Sequence, residues 1–260
     1  MIRSLFSAST GMHAQQLLVD TIANNLSNAN TTGFKKSRVD FQDILYQKMR
    51  SAGAENVAGS QIPSGIEVGL GAKPVSIAKV FTQGALVRTD NPLDVSIEGD
   101  GFLQVLLPDG TSAYTRDGAI KLDANGTFVN ADGLIFQPTI TVPATTVELT
   151  IGQDGTVTAV DQNGLGTNAG QLSLSRFLNP VGLTNLGKNL YQETVASGTA
   201  TTGTPGQGGL GTLSQGFIEL SNIQLVEELV NLIIAQRAYE VNSKVIQASD
   251  QMLQVANRIR

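Results

Sequence analysis

The last forty residues, 221–260, contain neither proline nor glycine, which restricts this end of the chain to one long helix. Apolar and small residues recur there in two sets with helical spacing. The first set alternates steps of four and three residues and comprises Ile234, Ala238, Val241, Val245, Ala248, Met252, Val255 and Ile259. The second repeats every seven residues and comprises Leu225, Leu232, Tyr239, Ile246 and Leu253. Because successive residues turn by about 100°, the two sets lie roughly 120–180° apart, and each needs its own partner.

Local signals predict where the long helix starts and indicate a second helix at the N-terminus. Ser221, followed three residues later by Gln224, fits a capping box and predicts that the helix starts there. At the other end of the chain, the spacing of apolar residues predicts a shorter helix over about residues 4–29. Its apolar positions include Leu5, Met12, Val19 and Leu26. We expect the two terminal helices to pair as a coiled coil.

One apolar set of the C-terminal helix can pack on the N-terminal helix, whereas the other requires the body of the protein or a second copy. Ordering about 37 residues costs about 1–2 kcal/mol each in backbone entropy, and one buried face does not offset this. We therefore expect these ends to be poorly ordered until both faces are covered. A helical hairpin folded onto its own domain is the alternative.

Between the helices, residues 93–174 carry short alternating segments separated by Asx-Gly dipeptides, a pattern typical of antiparallel β structure. The dipeptides are Asp109-Gly110, Asp117-Gly118, Asn125-Gly126, Asp132-Gly133, Asp154-Gly155 and Asn163-Gly164. Apolar positions in 66–70 and 75–77 predict a hairpin across residues 71–74, and the Gly/Thr-rich residues 197–211 predict a flexible loop. The predicted fold class is α+β, a mainly β body inserted between long terminal helices. The predicted divisions are a helical module (1–32 and 222–260), a linker and extended segment (33–75) and a β-rich domain (76–221).

Composition excludes most catalytic and metal sites. The chain has one histidine, His13, and no cysteine, so a Cys/His zinc site or a thiol nucleophile cannot be built. A net charge of −5 without a basic run argues against nucleic acid, and no segment approaches the ~20 apolar residues that span a bilayer. Asp94 and Glu98 would suit a glycosidase, but they are better interpreted as turn acids. We predict a structural protein, not an enzyme, without metal or cofactor.

Basic residues after the first helix, Lys35, Lys36 and Arg38, are interpreted as an exposed, solvated patch. The N-terminus lacks the continuous apolar core of a secretory signal, so export would need another route.

Three groups of motifs resemble the bacterial flagellar rod and hook proteins. Residues 21–35, TIANNLSNANTTGFK, are similar to that family's N-terminal signature. Residues 91–95, 99–102 and 114–118 resemble its central body, and residues 221–223 and 236–244 resemble its C-terminal helix. The residues that carry the family motifs are Asn24, Asn25, Gly33, Phe34, Gln236, Arg237, Tyr239, Asn242 and Lys244.

This resemblance implies a structural subunit of the flagellar drive shaft that self-assembles into a hollow helical tube and transmits torque. The terminal helices would line the channel, the β body would lie further out, and the segment near 46–65 would bridge neighbours. Implied partners are further copies, proximal rod proteins, the hook protein and the ring proteins, without nucleic acid or direct membrane insertion. The implied location is the flagellar basal body, where the rod crosses the periplasm towards the outer membrane, after export by the flagellar type III apparatus without a cleaved signal.

Length, residues 236–244 and the insertion at 46–65 favour the distal-rod branch of the family. A hook or proximal rod paralogue remains the alternative, and a periplasmic cell-wall hydrolase acting through Asp94 and Glu98 is a distant one. The residues expected at the assembly interface are Leu5, Met12, Val19, Leu26, Leu225, Leu232, Tyr239, Val241, Val245, Ile246, Met252, Leu253, Val255 and Ile259.

Overall fold

The computed structural model describes residues 2–51 and 64–258, and these group into two units. The first unit combines Met1–Ser27, Ser37–Ala78 and Gln224–Arg260, and the second combines Asn28–Lys36 with Lys79–Ile223. The expected linker and extended segment, 33–75, falls across both units. The three-part division by composition therefore stays a proposal.

The first unit is built from both terminal helices and four strands within the described residues. These elements are α1 (Ile2–Ser27), β1 (Ser37–Asp43), β2 (Tyr46–Arg50), β3 (Ile66–Gly69), β4 (Ala72–Lys79) and α2 (Leu225–Arg258). Strand β1 pairs with β4, and β2 pairs antiparallel with β3. The predicted hairpin across residues 71–74 is therefore wrong, because the two strands on either side of it have different partners. Gly71, at φ 109°, instead allows close approach to α1, since a Cβ there would collide with the Thr10 side chain.

Helix α2 begins at Leu225, so the capping box predicted at Ser221 is also wrong. The carbonyl of Gln224 accepts the Glu228 N–H at 3.0 Å, which places Gln224 itself at the cap position. The buried Ser221 hydroxyl has no hydrogen-bond partner among the described residues. Glu227 and Glu228 occupy the first turn, where their carboxylates face the positive end of the helix dipole.

The second unit is an antiparallel β body. Its strands are β5 (Leu86–Arg88), β6 (Val95–Glu98), β7 (Phe102–Leu106), β8 (Ser112–Thr115), β9 (Lys121–Leu122), β10 (Phe128–Val129), β11 (Ile135–Gln137), β12 (Thr146–Ile151), β13 (Thr156–Asp161), β14 (Gly166–Gln171), β15 (Leu174–Arg176), β16 (Thr184–Gly187), β17 (Leu190–Gln192), β18 (Thr201–Gly203), β19 (Thr212–Gln215) and β20 (Phe217–Glu219). A single 3₁₀ turn, Pro180–Gly182, precedes β16. Together with the terminal helices, this body confirms the predicted α+β class.

The largest sheet of the body has nine strands. Its main order is β16-β17-β8-β7-β11-β10-β9, and β15 pairs with both β7 and β18. Strands β12, β13 and β14 form a separate meander, and the pairs β6–β19 and β5–β20 complete the pairing of the body. The order places β16 and β9 at opposite ends of the large sheet.

Five of the six Asx-Gly dipeptides close tight turns as predicted. Their glycines have φ between 74° and 83°, a range that L side chains rarely adopt: Gly110, Gly126, Gly133, Gly155 and Gly164. Gly118 is different because it has no positive φ. A Cβ there would collide with the carbonyl oxygen of Val95, so this glycine is needed for close approach of two backbones rather than for a turn.

Residues 197–211, expected to be a flexible loop, are instead folded into the body. Strand β18 lies within this segment and pairs with β15. The Gly206 N–H donates to the Gly211 carbonyl at 2.8 Å, which closes a turn after the strand. The interpretation from composition was wrong because strand pairing and turn hydrogen bonds satisfy the backbone of these small residues.

The core of the β body has two parts. The larger is mainly aliphatic, with two phenylalanines, and includes Val95, Ile97, Leu103, Val105 and Leu174, all at most 1% exposed. The smaller is mainly aromatic and consists of Phe102, Tyr114, Phe177, Leu183 and Tyr191, with Phe81 packed against it. The rings of Tyr114 and Phe177 meet edge to face at 4.7 Å, a favourable geometry for aromatic pairs.

Candidate functional site

A buried ion cluster joins three distant segments of the β body. The Lys35 ammonium donates to Glu219 Oε1 at 2.6 Å and to the Thr82 carbonyl at 2.7 Å, and its side chain is 0% exposed. Arg116 Nη1 lies 3.7 Å from Glu219 Oε2, and its Nη2 donates to the Gly99 carbonyl at 2.9 Å. The expected solvated basic patch is therefore wrong for Lys35, because the folded body covers it. Arg38, in contrast, has a side chain that is 70% exposed.

The electrostatics of this cluster depend on one carboxylate. Burial lowers the pKa of Lys35 below its usual 10.5, the Arg116 cation lowers it further, and Glu219 opposes both effects. Burial also lowers the pKa of Arg116, and Glu219 again opposes the shift. Two buried cations therefore share one buried anion, and removal of that anion would leave both cations uncompensated.

Backbone contacts around the ion cluster hold the same segments together. The Gly33 N–H donates to the Glu219 carbonyl at 2.8 Å, and a Cβ on Gly33, at φ 67°, would lie 2.7 Å from the Asp117 nitrogen. Asn222 Oδ1 accepts the Lys36 N–H at 2.8 Å, while its Nδ2 donates to the Val80 carbonyl at 2.8 Å. The motif residue Gly33 thus belongs to a structural cluster that positions the segment entering the body, and the ring of Phe34 lies 4.1 Å from the Lys79 ammonium.

The acidic residues considered for hydrolysis lie in ordinary turn surroundings. Asp94 accepts the Thr89 hydroxyl at 2.6 Å and the Asn91 side-chain amide at 3.0 Å, both from its own turn. Glu98 is the last residue of β6. Within residues 2–51 and 64–258, no group of three or more His, Asp or Glu side chains could hold a metal ion.

In the first unit, α1 and α2 pair through a seam of small and polar residues. Ser4 Oγ lies 3.1 Å from Ser249 Oγ, and a Cβ on Gly11 would lie 3.0 Å from Asn242 Nδ2. Seven residues forward on α1 thus correspond to seven back on α2, so the helices run antiparallel. The heptad positions of α2 on this seam are Glu228, Ala235, Asn242 and Ser249, of which all but the half-buried Asn242 are buried.

Sequence reasoning missed this seam because it followed two sets of apolar and small residues, and the seam positions Glu228 and Asn242 are polar. Leu232, Ile246 and Leu253, chosen for their seven-residue spacing, are half-buried beside the seam, while Leu225 and Tyr239 are exposed. On α1 the predicted residues Leu5, Met12, Val19 and Leu26 are all half-buried. The available signal was the heptad repeat of small and polar residues on α2, among them the motif residue Asn242.

Replacing Gly11 with leucine is expected to weaken the helix pair, although leucine favours helix by about 1 kcal/mol over glycine. The added side chain must displace Asn242, and overpacking of this kind costs about 1–3 kcal/mol. Urea unfolding of the full chain followed by circular dichroism at 222 nm checks this. Adding Asn242→Ala to the variant should restore part of the loss. A more stable Gly11→Leu single variant would contradict the close packing.

The opposite side of α2 exposes a continuous series of large apolar residues, here called the α2 apolar face. It consists of Val226, Val230, Ile233, Ile234, Val241, Val245, Met252 and Val255, which are 39–77% exposed. The last five were selected from the sequence, whereas Val226, Val230 and Ile233, which follow one another at steps of four and three, were missed. Ile259 lies outside the described residues. The role of these residues in assembly stays a prediction.

The remaining family-motif residues are polar and lie on the two helices. Asn25 Nδ2 donates to the Ser37 carbonyl at 2.9 Å, and Asn25 Oδ1 accepts the Ser37 N–H at 2.8 Å. These two bonds fix the chain after α1. Arg237 donates to Glu240 at 2.9 Å on the surface of α2. Asn24, Gln236 and Lys244 are exposed. Neither α1 nor α2, as described here, is apolar enough along its length to span a bilayer.

Models of flagellar rod and hook proteins match this chain at both ends and in the β body. Family models match at residues 5–35 (flagella basal body rod protein), 96–159 (flagellar hook protein FlgE/F/G D1 domain) and 214–259 (flagellar basal body rod FlgEFG protein C-terminal). The flagellar basal-body rod protein FlgG of Buchnera aphidicola subsp. Schizaphis graminum is 48% identical, with 100% of both chains covered.

FlgG proteins of two other bacteria are also similar to this chain. FlgG of Borreliella burgdorferi is 47% identical over 100% of this chain and 99% of its own, and FlgG of Bacillus subtilis is 41% identical over 98% and 97%. The chain therefore belongs to the FlgG flagellar basal-body rod proteins, within the FlgE/F/G family, and is a structural subunit of the flagellar rod.

Proposed function

We propose that this subunit builds the distal part of the rod by self-assembly, and that copies join through the α2 apolar face. The observation that carries the proposal is that eight large apolar side chains on one side of a 34-residue helix have no cover within the described chain. Exposed apolar surfaces of this extent mark interaction sites rather than free surface. The assembled tube would transmit torque from motor to hook and would need no enzymatic activity.

The energy available from this face supports assembly. Fully burying one Val, Ile or Met side chain contributes about 1.5–3 kcal/mol. The eight side chains are about half exposed, so covering them would contribute on the order of 6–12 kcal/mol for each copy. A helical tube needs contacts between two different surfaces of neighbouring copies, because such heterologous contacts propagate. The α2 apolar face can supply one of these two surfaces, because the seam with α1 is already closed within each copy.

We extend the same proposal to the proteins that the subunit contacts and to its route of export. Rod subunits of this family are expected to contact proximal rod proteins, the hook protein and the basal-body rings, and to leave the cell by the flagellar type III apparatus without a cleaved signal. Strand β2, exposed along its whole length with Tyr46 and Met49 at 54% and 61%, supports a bridging role for the segment at 46–65. Residues 52–63 of that segment lie outside the described residues.

Hydrogen exchange of the free subunit and of isolated rods tests the proposal. Amides of residues 225–258 are expected to exchange faster in the dilute monomer than in rods, because burial of the α2 apolar face adds stability to the helix beyond its pairing with α1. Detection of the chain between the proximal rod and the hook in isolated basal bodies separates a distal rod subunit from its paralogues. Full protection of α2 in a dilute monomer would contradict assembly through this face.

A further inference from the structure

The chain contains two Asn-Gly dipeptides, and they occupy turns with the same local structure. One is Asn125-Gly126, between β9 and β10, and the other is Asn163-Gly164, between β13 and β14. In each turn the glycine N–H donates to the carbonyl of the residue three positions earlier, Asp123 at 2.8 Å or Asp161 at 2.9 Å. The two glycines have nearly the same φ, 77° and 74°. Local geometry therefore gives the two asparagines no difference in reactivity.

An asparagine that is followed by glycine can lose its side-chain amide without an enzyme. The backbone nitrogen of the glycine attacks the side-chain carbonyl carbon of the asparagine and forms a new C–N bond. The bond from that carbon to the side-chain nitrogen breaks, and ammonia leaves with the proton of the backbone nitrogen, which reaches it through solvent. Water then opens the resulting succinimide ring at either carbonyl and gives aspartate or isoaspartate. Glycine favours this reaction because, without a Cβ, its nitrogen can approach freely.

In the folded chain this attack requires the turn to open. The glycine nitrogen of each turn is engaged in the hydrogen bond to the aspartate carbonyl, so that bond has to break before the nitrogen can reach the asparagine side chain. Segments with few contacts open more often than segments that tertiary structure holds in place. The rate of deamidation at each site therefore depends on what surrounds the turn.

Tertiary contacts hold the Asn125-Gly126 turn closed. The Gly126 carbonyl accepts the Val142 N–H at 2.8 Å, and a Cβ built on Gly126 would lie 2.3 Å from the Val142 carbonyl oxygen. The next residue, Thr127, forms a β-bridge with Thr141, and Phe128 after it is 0% exposed. Opening of this turn would therefore break backbone contacts with a second segment and disturb the core.

The Asn163-Gly164 turn lacks this support. Both of its residues are exposed, and apart from the chain neighbours of Gly164, no atom of the described residues lies within 4 Å of a Cβ built there. The residue that follows, Leu165, is 70% exposed. Among the strands that the structure describes, β14 pairs only with β13. The tip of this hairpin can therefore open without breaking contacts with the rest of the body.

We propose that Asn163 is a site of spontaneous deamidation in the folded protein, and that Asn125, in an otherwise matching turn, is protected. The product carries a carboxylate at the tip of the β13–β14 hairpin. Residues 80–220 have 5 basic and 13 acidic side chains, so each event changes their charge balance from −8 to −9. The reaction needs only water, and it is independent of the proposed assembly through the α2 apolar face.

Incubation of the purified full chain at mildly alkaline pH tests the proposal, and peptide mapping by mass spectrometry measures deamidation at each residue. We expect Asn163 to react at least tenfold faster than Asn125, which corresponds to about 1.4 kcal/mol in the free energy of opening. In urea, where neither turn is folded, the two rates should become similar because both residues precede glycine. Equal rates in the folded chain, or an undiminished difference in urea, would overturn the proposal.

Two matched variants give an independent measurement. Native isoelectric focusing of the incubated, unaltered chain should show a growing acidic species with one additional negative charge. Asn163→Gln should slow the appearance of this species severalfold, because the longer glutamine side chain forms the corresponding ring less readily, whereas Asn125→Gln should leave its rate unchanged. Both asparagines are exposed, so neither change should affect the melting of the chain. An unchanged rate in Asn163→Gln would contradict the assignment and leave the proposed assembly untouched.

Discussion

Replacing Glu219 with glutamine is expected to destabilise the β body by about 3–5 kcal/mol, the usual cost of removing one partner from a buried ion pair. The change keeps the size of the side chain and leaves Lys35 and Arg116 as two cations without their shared anion. Part of the loss comes from the backbone of residues 33–36, which the cluster holds in place. Urea unfolding of the purified full chain, followed by near-UV circular dichroism of the buried tyrosines, measures the effect.

Asp132→Asn is the matched control for this prediction. Asp132 accepts a hydrogen bond from Lys188 at 3.0 Å, but the two side chains are 35% and 68% exposed. Exposed pairs of this kind contribute about 0–1 kcal/mol, so the same acid-to-amide change should cost less than 1 kcal/mol. Equal losses in Glu219→Gln and Asp132→Asn would show that the buried cluster contributes no more than a surface pair.

Val245→Asp, or Met252→Asp, is expected to abolish rod assembly and therefore motility. Both side chains belong to the α2 apolar face, at 39% and 51% exposure, so the free subunit tolerates a carboxylate there. In the assembled tube the same carboxylate would be buried without a partner, at a cost of several kcal/mol in every copy. Swimming assays and electron microscopy of isolated basal bodies check the result.

The control for the helix face is Gln247→Asp. Gln247 is exposed and lies about 200° around α2 from Val245, away from the α2 apolar face. This variant gains the same charge and should assemble and swim normally. The melting of the β body should be unchanged in all three variants, since none of the positions belongs to it. Normal swimming by Val245→Asp would count decisively against assembly through this face.

Local sequence rules predicted the elements that depend on neighbouring residues. Five of the six Asx-Gly turns formed where they were expected because a glycine with positive φ closes a tight turn whatever surrounds it. The long C-terminal helix was predicted because forty residues without proline or glycine, with helical spacing of apolar residues, favour no other structure. The exact start of α2 was not predicted correctly. Ser221 is buried in the body and does not cap the helix.

Contacts between distant segments could not be derived in this way. Lys35 looks in sequence like one of three solvated cations, and only the fold brings Glu219, 184 residues away, to its ammonium. The α1–α2 seam is similar, because Gly11 and Asn242 carry no hydrophobic signal and their value lies in close packing.

The amino-acid sequence by itself determined the α+β class, the two terminal helices, the tight turns of the body and, through its motifs, the family. Periodicity and turn chemistry act over a few residues, so they can be read without coordinates. The tertiary structure alone decided which cations are buried and which face of α2 is left uncovered. These depend on strand order and helix register, which join residues far apart in the chain and leave no local trace.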